Sequence, residues 1–434
     1  MEKNDMRMKS LEDFTLKGRT VLFRPDINSP IDSRTKLIVN TNRLEKAAPT
    51  LKALLDGGAR VAVIAHQGDT LDYQNLIPLA EHATILQKLT GYPVAYIDDV
   101  CGRAAVEKVK SLKDGEAVLL GNLRYLSEEV TAFEKEVKLK PEEMLDTWLV
   151  RSLAPLADLY VNDAFAAAHR NAPSMVAFQE LLPTAGGMQL VAEYSALSKV
   201  AATPARPCIF ILGGGKISDA FGMMRNVLTE KSADRILTTG ITGLVMLLAK
   251  GVDLGKATEQ FLKDKDLLGF VDEAKGLLEQ WEDKFLIPED LAYESDGERA
   301  EIAATAIAGD PAMQERLFPD VGERTISAYR QEIAGAGSVF VNGPAGVYED
   351  PRWEKGTREI WRAIADAKGY TVVGGGDTIT AAAKFTDLDK YSYICTAGGA
   401  MVRFLAGKRL PLIVAMEKAY ERNLQVAVRV QEKR

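Results

Sequence analysis

The chain has few of the residues that build metal centres or disulfide-rich folds. Among its 434 residues are three cysteines and three histidines. Cys101, Cys208 and Cys395 are far apart in sequence, follow no metal-ligand spacing and cannot all pair with one another. This cysteine usage is typical of buried, reduced thiols in a cytosolic protein.

Long apolar runs and an excess of basic residues are also missing. No segment approaches the length of a membrane span, and residues 1–5 contain no apolar core of a signal peptide. The formal net charge is -7, whereas a nucleic-acid-binding protein normally presents a basic face. We therefore expect a soluble cytoplasmic protein whose main partner is neither a membrane nor a nucleic acid.

What the chain does contain is an alternation of short β-rich segments and longer helical patterns. Apolar strands separated by helices predict βαβ units and a parallel sheet covered on both faces. The predicted strands form two series, which are 20–24, 60–65, 94–97, 117–120 and 157–161, then 208–212, 235–238, 285–287, 338–341, 371–373 and 391–395. We expect an α/β protein with two doubly wound parallel-sheet domains, since 434 residues exceed the usual size of one core.

A helical stretch beginning at Met188 separates the two series. It is ended by a proline-containing segment, 203–207, because proline stops a helix and biases the preceding residue toward extended structure. We expect four parts, which are an N-terminal domain 1–187, a hinge helix 188–203, a C-terminal domain 204–405 and a segment 406–434 that packs back on the N-terminal domain. Helices are also predicted over 41–56 and 412–434.

Polar residues follow the predicted strands of the first series. The run 161–170 places Asn162, Asp163, His169 and Arg170 on an expected loop, although Asn162 and Asp163 are equally consistent with a helix cap. The residues expected to meet at one end of this sheet are Arg24, Arg43, His66, Arg124, His169 and Arg170. Because the arginine fork matches carboxylate and phosphate oxygens, this pattern predicts a small, multiply charged anionic ligand.

Glycine-rich turns follow the strands of the second series instead. The turns are 213–216, Gly240, 342–346, 374–378 and 398–399. Glycines there let backbone N–H groups approach phosphates, and a following helix N-terminus adds a favourable dipole. Asp377 and Thr378 are consistent either with helix caps or with ligands of a nucleotide's Mg²⁺. No G-x-x-x-x-G-K-[ST] loop exists, and no G-x-G-x-x-G follows a strand. The repeated turns nevertheless favour a nucleotide site, and a polyanion on one domain with a nucleotide on the other suits phosphoryl transfer between closing domains.

The chain resembles the phosphoglycerate kinase family over nearly its whole length, and the archaeal branch most closely. The matching motifs are 24–30, 122–125, 161–170 with 174–176, 212–216, 341–349 and 374–378. The resemblance implies a monomeric, two-domain enzyme that transfers a phosphoryl group between 1,3-bisphosphoglycerate and ADP, with Mg²⁺, on hinge closure. It also implies a role in glycolysis.

The resemblance implies roles for particular residues. On the acid side, Asp26 and Asn28 hold the glycerate, and the basic clamp comprises Arg43, His66, Arg124 and Arg170. Arg43 also reaches the transferring group, and Lys216 stabilises the phosphoryl in flight, so these two are the implied catalytic residues. Glu349 binds the ribose, and the remaining implied nucleotide-binding residues are Gly214, Asn342, Gly375, Gly376, Asp377 and Thr378. Asp377 acts through the nucleotide-bound Mg²⁺.

Asp69 is the main departure from the family pattern, which has arginine there within the substrate clamp. Loss of one arginine–phosphate contact costs about 1.5–3 kcal/mol, and a carboxylate adds repulsion. Smaller departures are Pro25, Gly121 and Ala220, where the family usually has valine, glutamate and a nucleotide-binding lysine. Three hypotheses follow, which are an active phosphoglycerate kinase with a retuned clamp, a paralogous acyl-phosphate kinase for another carboxylate, and a nucleotide-binding protein without turnover.

Overall fold

The computed structural model describes residues 7–69 and 73–431, and the chain divides into two compact units. The first unit comprises residues 1–195 and 409–434, and the second comprises 196–408. The boundary after Ser195 lies within a long helix, Met188–Ala201.

The first unit is built on a six-stranded parallel sheet with the order β3-β4-β2-β1-β5-β6. Its strands are β1 (Thr20–Pro25), β2 (Arg60–Val63), β3 (Val94–Tyr96), β4 (Ala117–Leu119), β5 (Leu159–Asp163) and β6 (Thr184–Gly186). Its helices before the boundary are α1 (Asn42–Asp56), α2 (Ala80–Thr90), α3 (Arg103–Ser111), α4 (Thr131–Val137), α5 (Trp148–Leu153), α6 (Pro173–Val176), α7 (Phe178–Leu181) and α8 (Met188–Ala201). Alternate apolar side chains of β1 and the buried stripe of α1 meet in one core.

The second unit has a six-stranded parallel sheet with the order β15-β14-β13-β7-β8-β9 and a separate antiparallel sheet with the order β11-β10-β12. The strands are β7 (Cys208–Leu212), β8 (Arg235–Thr238), β9 (Phe285–Leu286), β10 (Asp290–Ser295), β11 (Glu298–Ala303), β12 (Asp320–Val321), β13 (Ser338–Asn342), β14 (Tyr370–Gly374) and β15 (Tyr393–Cys395). The helices are α9 (Ile217–Thr229), α10 (Gly240–Ala249), α11 (Lys256–Asp264), α12 (Phe270–Trp281), α13 (Glu323–Ala334), α14 (Lys355–Ala365), α15 (Gly376–Phe385) and α16 (Gly398–Leu405).

The last helix, α17 (Pro411–Gln431), belongs to the first unit. It packs against α6, α7 and β6. The backbone N–H of Leu412 donates to the carbonyl of Ala168, and Arg422 pairs with Glu180 at 2.8 Å.

The predicted fold class, with two parallel-sheet α/β halves, is confirmed. Every strand predicted in both series is present, with small shifts at the ends. The sequence reasoning missed β6 and the antiparallel sheet, whose strands are short or carry charged residues. The prediction that Asn162 and Asp163 lie on a loop is wrong, because both are the last residues of β5. None of the described helices is long and apolar enough to span a bilayer.

Each parallel sheet has one place where the direction of strand addition reverses. In the first sheet the reversal lies between β1 and β5, and in the second it lies between β7 and β13. Ligands of open α/β sheets bind in the crevice outside the strand ends at such a point. The turns after β1 and β5 in the first sheet, and the glycine-rich turns 213–216 and 342–346 in the second, lie there.

Candidate functional site

Several basic side chains of the first unit lie near His66, which is three residues after the end of β2. Arg24, at the end of β1, donates from Nη2 to Nδ1 of His66 at 2.9 Å. Nδ1 is therefore an acceptor, and the neutral imidazole carries its hydrogen on Nε2. Burial, and after it the charges of Arg24, Arg124, Arg170 and Arg43, lower the pKa of His66 well below its usual value. We call these five residues the basic pocket.

Asp26 and Asn28 lie in the segment after β1 and join it to neighbouring segments. The Asp26 carboxylate forms a close ion pair with Arg43, which lies in the first turn of α1. The side-chain oxygen of Asn28 accepts from the backbone N–H of Gly68 at 3.0 Å. Both predicted acid-binding residues therefore border the basic pocket, with Asp26 partly neutralised by Arg43.

Arg124 bonds to the backbone of Glu129, a buried acid. Its Nη1 donates to the backbone carbonyl of Glu129. The Glu129 carboxylate accepts from the backbone N–H and the hydroxyl of Ser174, both at 2.6 Å. Burial lowers the pKa of Arg124 to about 10 and lowers that of Arg24, while burial raises the pKa of Glu129. The cost of burying these guanidinium groups is thus offset only in part by nearby acids.

Arg170 is bound by two acids that α4 helps to place. Its Nε donates to Glu134 of α4 at 2.7 Å, and its Nη1 lies 3.9 Å from Oδ2 of Asp69. The same Asp69 oxygen accepts from the hydroxyl of Thr131, the first residue of α4, at 2.9 Å. Asp69 is therefore directed toward the basic pocket and draws on the charge of Arg170.

Two buried donors of the basic pocket have no hydrogen-bond partner among the described residues. These are Nε of Arg124 and Nη2 of Arg170. A buried N–H without a partner costs about 1–3 kcal/mol, and more when the group is charged. Oxygen atoms of an anionic ligand would supply the missing acceptors.

Asn162 and Asp163, prominent in the sequence, have internal structural roles instead. Asn162 accepts from the N–H of Ala164 and donates to the hydroxyl of Tyr160. Asp163 accepts from the N–H of Leu190 at 2.8 Å, and burial raises its pKa to about 6. Both side chains are buried, so they fix the turn after β5 and the start of α8.

The second unit closes its strand ends with interlocked glycine turns. The N–H of Gly214 donates to the carbonyl of Pro344 at 2.9 Å. A Cβ on Gly213 would overlap the hydroxyl of Thr239, and one on Gly343 would overlap the carbonyl of Gly213. Gly343 also has φ +87, which L side chains rarely adopt. Glycine is therefore required for these two turns to meet.

A pocket of about 350 Å³ lies beside these turns, within the range of small-molecule sites. We call it the glycine pocket, and it is lined by Gly214, Gly215, Gly240, Ile241, Leu244, Thr258, Phe261, Leu317, Phe318, Pro319, Pro344, Gly346, Val347, Glu349 and Asp377. Of the predicted nucleotide-binding residues, Gly214, Glu349 and Asp377 line it. The sequence reasoning missed its apolar wall, although the half-exposed Leu317 and Val347 lie on it.

The other predicted nucleotide residues support or flank the glycine pocket. Asn342 donates to the carbonyl of Gly374 at 2.7 Å, and the hydroxyl of Thr378 accepts from the N–H of Gly343 at 2.8 Å. Gly375, with φ +96, precedes α15, which begins at the exposed Gly376. Lys216 is exposed at the start of α9.

Asp377 and Glu349 are the two carboxylates that line the glycine pocket. Asp377 is exposed in the first turn of α15. Within the described ranges, no cluster of three or more metal-ligating side chains exists. An exposed carboxylate at the start of a helix fits Mg²⁺, which is commonly held by one or two carboxylates and the substrate's phosphates.

Comparison with known proteins gives a single family. A family model described as phosphoglycerate kinase matches residues 11–408. The chain is 38% identical to a phosphoglycerate kinase of Methanothermobacter thermautotrophicus and 40% identical to one of Thermococcus kodakarensis, covering 95% and 96% of this chain and 97% and 98% of those proteins. A crystal structure of phosphoglycerate kinase from Pyrococcus horikoshii superposes with a TM-score of 0.83 at 37% identity, covering 95% of this chain and 100% of that chain. The resemblance to archaeal members is confirmed by these relatives.

Proposed function

Because the chain belongs to the phosphoglycerate kinase family, we propose that it transfers a phosphoryl group reversibly between 1,3-bisphosphoglycerate and ADP, forming 3-phosphoglycerate and ATP. The basic pocket is the observation that carries this proposal. The charges of four arginines lower the pKa of His66, and two buried N–H donors of this pocket have no partner among the described residues. A substrate with a carboxylate and phosphates supplies the acceptors.

We assign the acid to the basic pocket, with Asp26 and Asn28, and the nucleotide to the glycine pocket. Gly214, Asn342, Glu349 and the segment 375–378 bind the nucleotide, and Asp377 holds its Mg²⁺. The bound ion neutralises phosphate charge. The N–H groups at the start of α15 favour the same anionic groups.

Arg43 and Lys216 are the proposed catalytic residues. Phosphoryl transfer gains mainly from positioning and from stabilising the charge of the three equatorial oxygens. Arg43 lies beside the proposed acid-binding Asp26, and Lys216 is exposed at the start of α9, next to the glycine turn 213–215. We further propose that α8 acts as the hinge that lets the two substrates meet, and that the enzyme is a cytoplasmic monomer.

A coupled assay with 3-phosphoglycerate, ATP and Mg²⁺ tests the function. We expect turnover of about 1–100 per second, as for other kinases. Lys216→Met is expected to lower kcat by about a hundredfold or more without loss of thermal stability, because the side chain is exposed. Lys265→Met, another exposed lysine of the second unit, is the control.

Other outcomes separate the alternatives. Turnover with a different carboxylate but not with 3-phosphoglycerate would establish a paralogous acyl-phosphate kinase. Binding of Mg-ADP without turnover on any tested acid would leave a nucleotide-binding protein. Family membership favours the first hypothesis over both.

A further inference from the structure

Gln67 follows His66 of the basic pocket and is buried. Both the NH₂ group and the oxygen of its side-chain amide form hydrogen bonds. Its Nε2 donates to the carbonyl of Ser29 at 2.9 Å, and its Oε1 accepts from the N–H of Ser29 at 2.8 Å. This two-bond pairing fastens the segment after β2 to the segment after β1. The segment after β1 carries Asp26 and Asn28.

The backbone of Gln67 is fastened in the same way to the segment after β4. Its N–H donates to Oδ1 of Asn122 at 3.2 Å, and its carbonyl accepts from Nδ2 of Asn122 at 2.8 Å. The same Asn122 oxygen accepts from the N–H of Arg124 at 3.0 Å. One residue therefore sets the mutual positions of three segments, which carry Asp26 with Asn28, His66, and Arg124.

His82 of α2 adds a third hydrogen bond to the Gln67 amide, whose direction the two Ser29 bonds already set. Its Nε2 lies 3.1 Å from Oε1 of Gln67, and its side chain is fully buried. Because Oε1 can only accept, His82 must carry its hydrogen on Nε2. A reversed amide would present its NH₂ group to the N–H of Ser29 and its oxygen to the carbonyl of Ser29, and both bonds would be lost. Burial lowers the pKa of His82 to about 4, so the donor adds no charge beneath an already basic pocket.

We propose that Gln67, supported by His82, is the positioning residue that fixes the geometry of the acid-binding segments. This inference rests on the proposed assignment of the acid to the basic pocket. Neither side chain contributes charge to that pocket, and their action passes through Ser29. Clamps of this kind must hold their groups to within roughly 0.5 Å, so loosening one linking residue weakens several contacts together.

The test compares Gln67→Met, His82→Phe and the double variant in the full chain. Both single substitutions keep the approximate side-chain volume. Gln67→Met removes the side-chain hydrogen bonds to Ser29 and His82, and His82→Phe removes the one to Gln67. We expect each to raise the KM for 3-phosphoglycerate, by about tenfold for Gln67→Met and less for His82→Phe, with the KM for ATP unchanged. In the double variant, His82→Phe should add little, because its effect passes through Gln67.

His82→Gln and Thr90→Val are the matched controls. Glutamine retains an N–H donor and is expected to restore part of the acid affinity. Thr90 is buried on the same helix and donates within it to Leu86 at 2.8 Å, so its loss should lower stability without changing the KM for the acid. Should Gln67→Met not fold, His82→Phe and its partial rescue by His82→Gln carry the test.

Hydrogen exchange separates this inference from the proposed function. In Gln67→Met, the backbone N–H of Ser29 should exchange faster than in the parent, whichever acid the enzyme uses. Unchanged exchange, equal shifts in the KM for acid and nucleotide, or additive effects in the double variant would overturn the positioning role. A parent protein inactive on 3-phosphoglycerate would instead count against the proposed function.

Discussion

The basic pocket and the glycine pocket both lie where the strand order of a parallel sheet reverses. The first is built from charged side chains and the second from glycine turns. In the basic pocket, charged side chains converge and are partly neutralised by Asp26, Glu129, Glu134 and Asp69. In the glycine pocket, the absence of side chains lets two backbone turns meet. The first therefore depends on a balance of charge, and the second depends on space.

This difference predicts how each pocket fails. A charged site can be retuned, because changing one acid or base shifts the balance without disturbing the backbone. The turns at Gly213 and Gly343 have no such tolerance, because a Cβ added to either glycine meets backbone atoms that cannot rotate away. Substitutions should therefore be graded in the first unit and abrupt in the second.

The largest effect is expected from Gly343→Ala. The new Cβ would overlap the carbonyl of Gly213 at φ +87, so the turns must separate. Strain and overpacking together should lower the free energy of unfolding by about 2–6 kcal/mol. Mg-ADP affinity should fall at least about a hundredfold, while 3-phosphoglycerate affinity is retained. Calorimetric titration of each ligand and thermal unfolding measure both effects.

Gly276→Ala provides the control for the glycine prediction. Gly276 lies within α12, where a Cβ would have no neighbour within 4 Å. This change should leave ligand affinities unaltered and raise stability by about 0.4–1 kcal/mol. Nucleotide affinity equal to the parent's in Gly343→Ala would show that the two turns do not form the binding surface.

A graded effect is expected from Asp69 in the first unit. Asp69→Asn keeps an oxygen to accept from Thr131 but removes the charge near Arg170. We expect 3-phosphoglycerate to bind about tenfold more tightly, because Arg170 regains attraction for the ligand. Asp69→Arg should tighten binding further. Titrations at low and moderate salt should show the gain shrinking as salt rises.

Asp114→Asn is the matched control for Asp69. Asp114 also pairs with an arginine, Arg60, but Arg60 begins β2 and thus lies at the amino ends of the strands, opposite the basic pocket. This substitution should not change affinity for the acid. If both Asp69 variants also bind like the parent, Asp69 does not act on the bound acid.

The smallest effect concerns pH and Asp320, beside Pro319 of the glycine pocket. Burial raises the pKa of Asp320 from 3.8 to about 7 despite its ion pair with Arg299 at 3.1 Å. A raised pKa in the folded state favours the protonated form, so this contribution to stability is present below about pH 4 and is lost as pH rises toward 7. In Asp320→Asn, the melting temperature should therefore depend less on pH over this window.

The exposed Asp366 gives the comparison for that measurement. It lies in the same unit and pairs with Lys390 near the surface, so Asp366→Asn should keep the parent's pH dependence. Parallel melting curves for the parent and Asp320→Asn between pH 4 and 7 would show that burial of Asp320 does not control this dependence.

Most of the fold could be predicted because buried parallel strands appear as continuous apolar runs. The strands of both series and the helix from Met188 follow this rule. The antiparallel strands β10 and β11 were not predicted, because charged residues interrupt their apolar pattern and because each forms only by pairing with the other. Asn162 and Asp163 were predicted to lie on a loop for a related reason, because polar residues at the end of a buried strand have the composition typical of a loop.

The sequence by itself determined the family, the two sheets and the residue types at their strand ends. These follow from local periodicity and from motifs whose spacing is fixed by short turns. Only the tertiary structure decided that Glu129, Glu134 and Asp69 balance the arginines, that an apolar wall completes the glycine pocket, and that Gln67 with His82 links the acid-binding segments. Those contacts join residues distant in sequence, and burial and mutual charge arise only once the chain has folded.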